Sequence, residues 1–233
     1  MIALYFVVFL LPLASSQNVC PNSSFDQDMI DEYVVGHLND KRYRLLAGLQ
    51  LNGPWQGKDQ WTSDTQAYGK KLPKGKSMNK LVWDCDLEKK AKAALGPTCR
   101  DDEPKAPKGK TGLFCSINIT DIEPELTSAV WVWTEQIDKF TVSDDAISDK
   151  KVVYKNHDLR EYLNLMRHSI TKIGCAEVLC PGKDLNKYRA FCLTDKKPLE
   201  DNDVVYNAGK GGCDKGDKCR DGYACEDGLC KKL

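Results

Sequence analysis

The cysteines of this chain restrict its possible folds more than any other residue type does. There are 11 of them, spread from residue 20 to residue 230. In an oxidising compartment most cysteines form disulfides, and an odd number leaves one that is free or joined to another chain. In the larger, N-terminal part of the chain, we expect disulfides among most of Cys20, Cys85, Cys99, Cys175, Cys180 and Cys192. In the C-terminal tail, we expect them among Cys213, Cys219, Cys225 and Cys230.

The chain opens with an apolar segment that is typical of a secretory leader. The run from Met1 to Ser16 is too short to span a bilayer and ends in small residues, as a signal-peptidase site requires. We therefore expect residues 1–16 to be a signal peptide and the mature chain to be secreted. Sequons at Asn22 and Asn118, the predicted glycosylation sites, fit the same route. No later run is long enough for a membrane helix, so no membrane insertion is expected.

The overall charge argues against one class of partner. Lysine plus arginine and aspartate plus glutamate are equal, at 34 each, so the formal net charge is zero. A protein that binds DNA, another nucleic acid or heparin usually carries a basic excess. We therefore expect no polyanion-binding role, whether for heparin or DNA, and no nucleic-acid partner.

Residues 53–80 combine Trp55 and Trp61 with several lysines among Gly, Ser and Gln. The segment shows neither helical nor alternating periodicity, which predicts a long surface loop. Two interpretations remain open. The loop is either a solvated insertion or a partner-binding surface that uses its exposed aromatic side chains.

Apolar residues recur at helical spacing in four segments, and two later segments have strand character. The helices are expected after a capping box at Ser24 to Gln27, after Asp84, near Pro124 and from Leu159 to Arg167, and the strands at Lys172 to Leu179 and Tyr188 to Thr194. Helices interleaved with two or three cysteine-tied strands indicate the α/β class, as a three-layer α/β/α sandwich. We assign this domain to residues 17–194.

The composition changes after residue 194. Residues 195–212 are rich in Asp, Lys and Gly and have little to bury, so they are interpreted as an extended hinge. The four cysteines that follow belong to a module too small to fold without disulfides. Their three possible pairings include an interlaced one, Cys213 with Cys225 and Cys219 with Cys230, which the sequence alone does not select. Residues 195–233 are therefore expected to form a hinge and a cysteine-rich tail.

The tail carries a Lys-Gly-Asp tripeptide, Lys215, Gly216 and Asp217, on a short loop between cysteines. Integrin receptors take a ligand aspartate onto a bound divalent cation, while a cationic side chain two residues earlier reaches an acidic pocket. Gly216 has no Cβ and tolerates a tight turn, so both charged side chains are expected to point outward. The tripeptide thus suggests an integrin ligand. A solvated turn is the alternative, because so short a motif also arises by chance.

Several blocks of the sequence together resemble one known family. They are Ser77 to Glu88 followed by Ala91, Ala94 and Cys99; Trp133-x-Glu135; Ile173-Gly-Cys175 with Cys180 and Tyr188 to Cys192; and Tyr206-x-x-Gly209. These blocks are similar to the second helix, third helix, closing strands and hinge of the CAP superfamily of secreted proteins, in its nematode activation-associated secreted branch. The resemblance spans most of the expected mature chain and implies the family's three-layer sandwich.

The resemblance also bears on catalysis. The family's cavity carries two histidines and two glutamates that can hold a divalent metal. Here Glu161 stands at the position of the second histidine, Thr111 stands near that of the first glutamate, and Glu135 alone matches. We therefore expect no metal, no cofactor and no enzymatic activity. Cys115 lies outside the cysteine positions usual in the family and is the candidate for the unpaired cysteine.

Loss of the cavity residues together with a Lys-Gly-Asp loop resembles the hookworm members of the family that act as integrin antagonists. This resemblance implies inhibition of platelet aggregation and adhesion through host cell-surface integrins, with the platelet receptors for fibrinogen and collagen as the expected partners. Three alternatives stay open. They are integrin binding by a sandwich face that includes Trp55 and Trp61, sequestration of a lipid or sterol or a role in immune modulation, and a role as a secreted structural protein.

Overall fold

The computed structural model describes residues 18–100, 102–120 and 125–233. The expected signal peptide, residues 1–16, lies outside these ranges. So does Pro124, near which the third helix is expected to begin. Within the described ranges, no helix combines the length and the apolarity that crossing a bilayer would need.

Helices and strands alternate along most of the chain. The helices are α1 (Gln27–Met29), α2 (His37–Leu46), α3 (Cys85–Leu95), α4 (Leu126–Thr134), α5 (Gln136–Lys139) and α6 (Arg160–Met166). The strands are β1 (Leu51–Trp55), β2 (Tyr68–Lys71), β3 (Val82–Trp83), β4 (Thr111–Ile119), β5 (Lys151–Val153), β6 (Lys172–Cys180), β7 (Asn186–Thr194), β8 (Val204–Asn207), β9 (Tyr223–Glu226) and β10 (Leu229–Lys232). The four helical segments and two strands expected from periodicity are all present.

The first helix runs from α1 through a π-helical segment, Ile30–Gly36, into α2. Its N-cap is Asp26, whose Oδ1 accepts hydrogen bonds from the backbone N–H groups of Asp28 and Met29 at 2.8 and 3.3 Å. The helix therefore begins after Asp26, and the capping box predicted at Ser24 is wrong. A carboxylate two residues closer to the helix satisfies the free N–H groups better than the serine hydroxyl does.

The central sheet has the strand order β3-β6-β7-β4. Strands β6, β7 and β4 pair antiparallel, and the short β3 pairs parallel with β6. Helix α3 covers one face, where Leu87, Ala91 and Leu95 pack against Phe191. The larger core, which includes Trp133, lies on the other face beneath α2, α4 and α6. The predicted α/β/α sandwich is confirmed.

Helix α3 lies directly against β6 because Gly174 has no side chain. A Cβ at Gly174 would lie 2.3 Å from the Glu88 nitrogen and 2.5 Å from the Asp84 oxygen. The helix expected after Asp84 is present, and Asp84 is its N-cap, because its side chain accepts a hydrogen bond from Leu87 N at 2.9 Å. The same carboxylate accepts a hydrogen bond from Lys172 Nζ at 2.6 Å. Burial opposes ionisation of the Asp84 carboxyl, but these hydrogen bonds outweigh burial and lower its pKa.

The segment 53–80 is only in part the long surface loop that the sequence predicts, because it also contains the end of one strand and the whole of another. Strands β1 and β2 form an antiparallel pair. Asn52 fastens this pair to the sandwich, because its side chain donates to Val142 O and accepts from Val142 N, both at 2.8 Å. Leu72 and Met78 are buried. The prediction failed because β1 contains glycine and proline, which are depleted in strands, and gains its order from these distant contacts.

The hinge buries more than its composition indicates. Val205 and Tyr206 on β8 are 0% and 1% exposed, and β8 pairs antiparallel with β5. The Tyr206 hydroxyl donates a hydrogen bond to the Pro73 carbonyl at 2.9 Å. The expectation that residues 195–212 have little to bury is therefore wrong at these positions and at Leu199, which is 6% exposed. Part of the expected extended hinge is a paired strand, β8.

Two disulfides join cysteines that are far apart in the sequence, and three join cysteines separated by 11 to 17 residues. The pairs are Cys20–Cys85, Cys99–Cys180, Cys175–Cys192, Cys213–Cys225 and Cys219–Cys230. The tail pairing is the interlaced one of the three that the sequence allows. Cys115 is free and buried on β4, which confirms it as the unpaired cysteine. Burial, with a smaller contribution from Glu161, raises the pKa of the Cys115 thiol to about 11.

Candidate functional site

The Lys-Gly-Asp tripeptide lies on a turn that two disulfides enclose. Residues Cys213–Lys215 form a short 3-10 helix that ends at Gly216 in the left-handed conformation, with φ of 93°. Glycine adopts this conformation without the steric cost that a Cβ brings. The tight turn expected at Gly216 is therefore present, and Cys213–Cys225 and Cys219–Cys230 hold the loop that carries it.

Asp217 points into the fold. Its Oδ2 accepts hydrogen bonds from Lys210 N at 2.7 Å and Gly212 N at 3.4 Å, and the residue is only 9% exposed. The expectation that both charged side chains point outward is wrong for Asp217, because the backbone N–H groups of the hinge bind its carboxylate first. Lys215 does lie at the surface, where its Nζ is 3.1 Å from Asp214 Oδ2.

This orientation sets a condition on integrin binding through the tripeptide. Before it could ligate a receptor cation, the Asp217 carboxylate would have to give up its two backbone hydrogen bonds. Hydrogen bonds to a charged group contribute about 1.5–3 kcal/mol each. The loop would therefore have to open locally between its two disulfides, and part of the binding free energy would be spent on that opening.

At two positions that correspond to metal ligands, Glu161 and Thr111, the side chains are already engaged with other groups of the protein. Glu161 accepts a hydrogen bond from Gln136 Nε2 at 2.7 Å and lies 3.1 Å from Arg160 Nη1. Thr111 is buried and donates to the Lys196 carbonyl at 2.9 Å. Thr111 and Glu161 do not fit a divalent cation, because Thr111 offers a hydroxyl near the position of a carboxylate and the Glu161 carboxylate is already paired with Arg160.

One other group of possible metal ligands occurs in the described ranges. Cys213, Cys219 and Cys230 bring three sulfur atoms within 4.8 Å of one another. All three belong to disulfides, so they offer no thiolate for coordination. The cluster is a consequence of the interlaced pairing in the tail.

Trp55 and Trp61 lie at the surface of the β1–β2 region, where they are 51% and 59% exposed. Trp55 ends β1, and Trp61 directly follows a short 3-10 helix, Lys58–Gln60. Because Asn52 fastens β1 to the sandwich, Trp55 is presented by an ordered strand. Exposed tryptophans on an ordered surface are frequent anchors of protein–protein interfaces, since they bury a large area at a small cost in entropy.

A second exposed apolar surface lies between the first helix and α4. It is a concavity of about 560 Å³ whose lining includes Met29, Tyr33 and Trp131. Tyr33 and Trp131 are more than half exposed, and the His37 ring stacks on Trp131 with 5.9 Å between ring centroids. Sequence reasoning missed this surface. The available signal was Trp131, an aromatic residue outside the buried face of α4.

Backbone hydrogen bonds between Cys230 and residues 78–80 dock the tail on the sandwich, and the Lys80 side chain adds two ion pairs. Lys80 Nζ lies 2.6 Å from Glu226 Oε1 and 2.8 Å from Asp227 Oδ2. Gly228 allows the tail to approach α2, because a Cβ there would lie 2.6 Å from the Tyr43 ring. A groove of about 840 Å³ runs beside this junction. Sandwich and tail therefore present a joint surface.

The two sequons are accessible. Asn22 and Asn118 are both exposed, the first in a turn with φ of 63° and the second on β4 at the edge of the sheet. Exposure is a requirement for an acceptor asparagine. Both positions stay predicted glycosylation sites.

Comparisons with known proteins give a consistent result. The profile of "CAP: Cysteine-rich secretory protein family" matches residues 35–193. The crystal structure of Na-ASP-1 is similar with a TM-score of 0.67 and 22% identity over 92% of this chain, which spans only 48% of that protein. The structure of NaASP2 with Zn2+ is similar with a TM-score of 0.65 and 18% identity, over 91% of this chain and 99% of that one.

A further similar structure is that of hookworm platelet inhibitor. Its TM-score is 0.55 at 18% identity, over 91% of this chain and 95% of that one. No curated protein sequence matches this chain. At these identities, likeness to a solved structure shows a shared fold.

Proposed function

This chain belongs to the CAP family of cysteine-rich secretory proteins, and on that premise we propose that it is a secreted antagonist of host cell-surface integrins. It inhibits platelet aggregation and adhesion by occupying the platelet receptors for fibrinogen and collagen. No enzymatic step is involved. Five disulfides support an extracellular location. The fold shared with hookworm platelet inhibitor supports the choice of partner.

The observation that carries this proposal is the exposed pair Trp55 and Trp61 beside a strand fastened to the sandwich. An antagonist needs only a surface that binds the receptor and stays bound. A pre-ordered aromatic surface loses little entropy on binding. We therefore assign the main receptor contact to this part of the sandwich.

The loop of Lys215, Gly216 and Asp217 is the second candidate contact. The left-handed Gly216 and the two enclosing disulfides favour it, because they present a compact turn. It contributes to binding only if the receptor releases Asp217 from the backbone of the hinge. The two contacts predict different effects of substitution.

The test measures inhibition of agonist-induced platelet aggregation and binding to purified platelet integrins. The double variant Trp55→Ser/Trp61→Ser should lose at least about tenfold in affinity, as expected for removal of interface anchors. Asp217→Asn keeps one oxygen to accept the hinge N–H groups but cannot replace a carboxylate on a cation. Asp214→Asn is its control on the same loop.

The outcomes separate the contacts. If the tryptophan variant loses integrin affinity and Asp217→Asn keeps full potency, the sandwich carries the binding. If Asp217→Asn loses integrin affinity and Asp214→Asn does not, the tripeptide carries the binding. If the wild-type protein, checked by circular dichroism, neither inhibits aggregation nor binds a platelet integrin, the integrin proposal is wrong.

Lipid binding is a second function that one observation favours. The concavity that includes Met29, Tyr33 and Trp131 offers an apolar surface to an acyl or sterol group. Purified protein should then bind a fluorescent fatty acid or sterol, and Trp131→Ser should weaken that binding while leaving platelet inhibition unchanged. Absence of binding to either probe excludes this function.

A further inference from the structure

Six lysines surround the place where the hinge crosses the sandwich. They are Lys74, Lys76, Lys150, Lys210, Lys215 and Lys218, and we call them the hinge face. All six are exposed. Lys215 pairs with Asp214. The other five form no ion pair with any residue in the described ranges.

Backbone hydrogen bonds bring three separate chain segments together at this face. Gly209 N donates to Lys74 O at 2.9 Å, and Ala208 N donates to Lys150 O at 2.8 Å. Residues 207–211 therefore run between the segment of Lys74 and Lys76 and the segment of Lys150. The sequence does not indicate this arrangement, because the three segments lie far apart along the chain.

The lysines of sandwich and tail converge at Gly211. A Cβ at Gly211 would lie 3.7 Å from Lys74 Cδ and 3.7 Å from Lys215 Cγ. The two aliphatic stems therefore flank the same glycine, one from each part of the molecule. Lys210 precedes this glycine directly.

The inward orientation of Asp217 leaves this face cationic. Its carboxylate is bound by the backbone of Lys210 and Gly212 and is removed from the surface. The exposed acids of the same segments are Asp149 and Asp214, and Asp214 is already paired with Lys215. The surface around the tripeptide thus presents ammonium groups rather than an aspartate.

We propose that the hinge face binds a sulfated polysaccharide of the glycosaminoglycan class. Ammonium groups on flexible stems attract a linear polyanion through long-range, salt-dependent electrostatics and need no shaped pocket. Segments 74–76, 150–151 and 207–218 expose no large apolar side chain, which favours a hydrated polymer over a lipid surface. The zero net charge is a sum over the whole chain and does not describe this face. The inference is independent of the integrin proposal.

The experiment compares two triple variants with the same change in net charge. Lys74→Gln/Lys76→Gln/Lys210→Gln removes half of the hinge face. The control, Lys89→Gln/Lys105→Gln/Lys139→Gln, removes three exposed lysines that lie elsewhere. Binding to a heparin oligosaccharide is measured by calorimetry at several salt concentrations, with folding checked by circular dichroism.

The hinge-face variant should lose about tenfold or more in affinity, whereas the control should change less than about twofold. The slope of log K against log salt should fall by about one for each lysine that contacts an anionic group. Equal losses in both variants, or no binding of the wild type at physiological salt, overturn the proposal. Equal affinity for desulfated heparin or for anionic phospholipid vesicles also overturns it, because sulfate groups would then not be the ligand.

Discussion

At the scale of single residues, buried polar side chains decide the local structure. Arg42 is fully buried, and its guanidinium donates to the carbonyls of Asn79, Leu165 and Arg167. It thereby ties α2 to the loop before β3 and to the end of α6. Asp217 does the same for the tail by binding the hinge backbone. In both cases the partners are main-chain atoms, which no residue pattern reveals.

Replacing Arg42 with methionine should lower the free energy of unfolding by about 3 kcal/mol. The buried carbonyls of Asn79, Leu165 and Arg167 would lose their donor, and an unsatisfied buried group costs about 1–3 kcal/mol. Arg42→Lys keeps the charge but not the forked geometry, so its free energy of unfolding should lie between those of the wild type and Arg42→Met. Urea denaturation measures both. A loss below about 1 kcal/mol in Arg42→Met would contradict this role.

The thiol of Cys115 should not react with a thiol reagent such as DTNB in the native protein at pH 8. It is 4% exposed, and burial raises its pKa to about 11, so the reactive thiolate is scarce at that pH. One thiol should become titratable in guanidinium without reductant. Rapid labelling of the native chain, absent in Cys115→Ala, would refute the assignment.

At the scale of elements, the contact of α3 with β6 depends on one glycine. Gly174→Ala should destabilise the protein by about 2–3 kcal/mol, because the new Cβ meets backbone atoms of the α3 N-terminus that have no alternative position. Gly69→Ala is the matched control. Its Cβ would meet only the Gln56 side chain, which can rotate away. Thermal unfolding followed by circular dichroism compares the two variants. Equal unfolding midpoints would show that the close contact at Gly174 does not determine the stability of the protein.

At the scale of the whole molecule, ion pairs add to the backbone hydrogen bonds that hold the tail on the sandwich. Hydrogen bonds from Lys231 and Lys80 lower the pKa of Glu226 to about 2. A depressed carboxyl pKa stabilises the folded state fully above its ordinary value of 4.5 and loses that effect as the pH falls towards the folded value. The contribution of Glu226 to tail docking should therefore vanish progressively between about pH 4.5 and pH 2.

Amide chemical shifts of β9 and β10, followed by NMR through this pH range, test the prediction. The shifts should titrate in the wild type and lose most of that response in Glu226→Gln, which cannot ionise. Lys80→Met should weaken docking at neutral pH, where the acid is still charged. Identical titration curves for the wild type and Glu226→Gln would assign the transition to another group.

The helices marked by regular spacing of apolar residues could be predicted from the sequence. The apolar spacing that follows Asp84 gave α3 together with its cap, and the spacing from Leu126 to Ile137 marked the buried face of α4 and α5. Strand β4 was missed. Its first three residues, Thr111 to Leu113, are all buried, so no alternation marks it. The candidate binding surfaces were only partly predictable from the sequence, because the presentation of Trp55 depends on how β1 is fastened to the sandwich.

The sequence by itself determined the cysteine-tied sandwich, the unpaired Cys115 and the tight turn at Gly216, since each follows from residue identity, spacing or family resemblance. Only the tertiary structure decided the interlaced tail pairing, the inward orientation of Asp217 and the gathering of lysines into the hinge face. Those features depend on which distant backbone groups meet. Hydrogen bonds act over a few ångströms and screened charges over about 10 Å in space, and separation along the chain does not measure those distances.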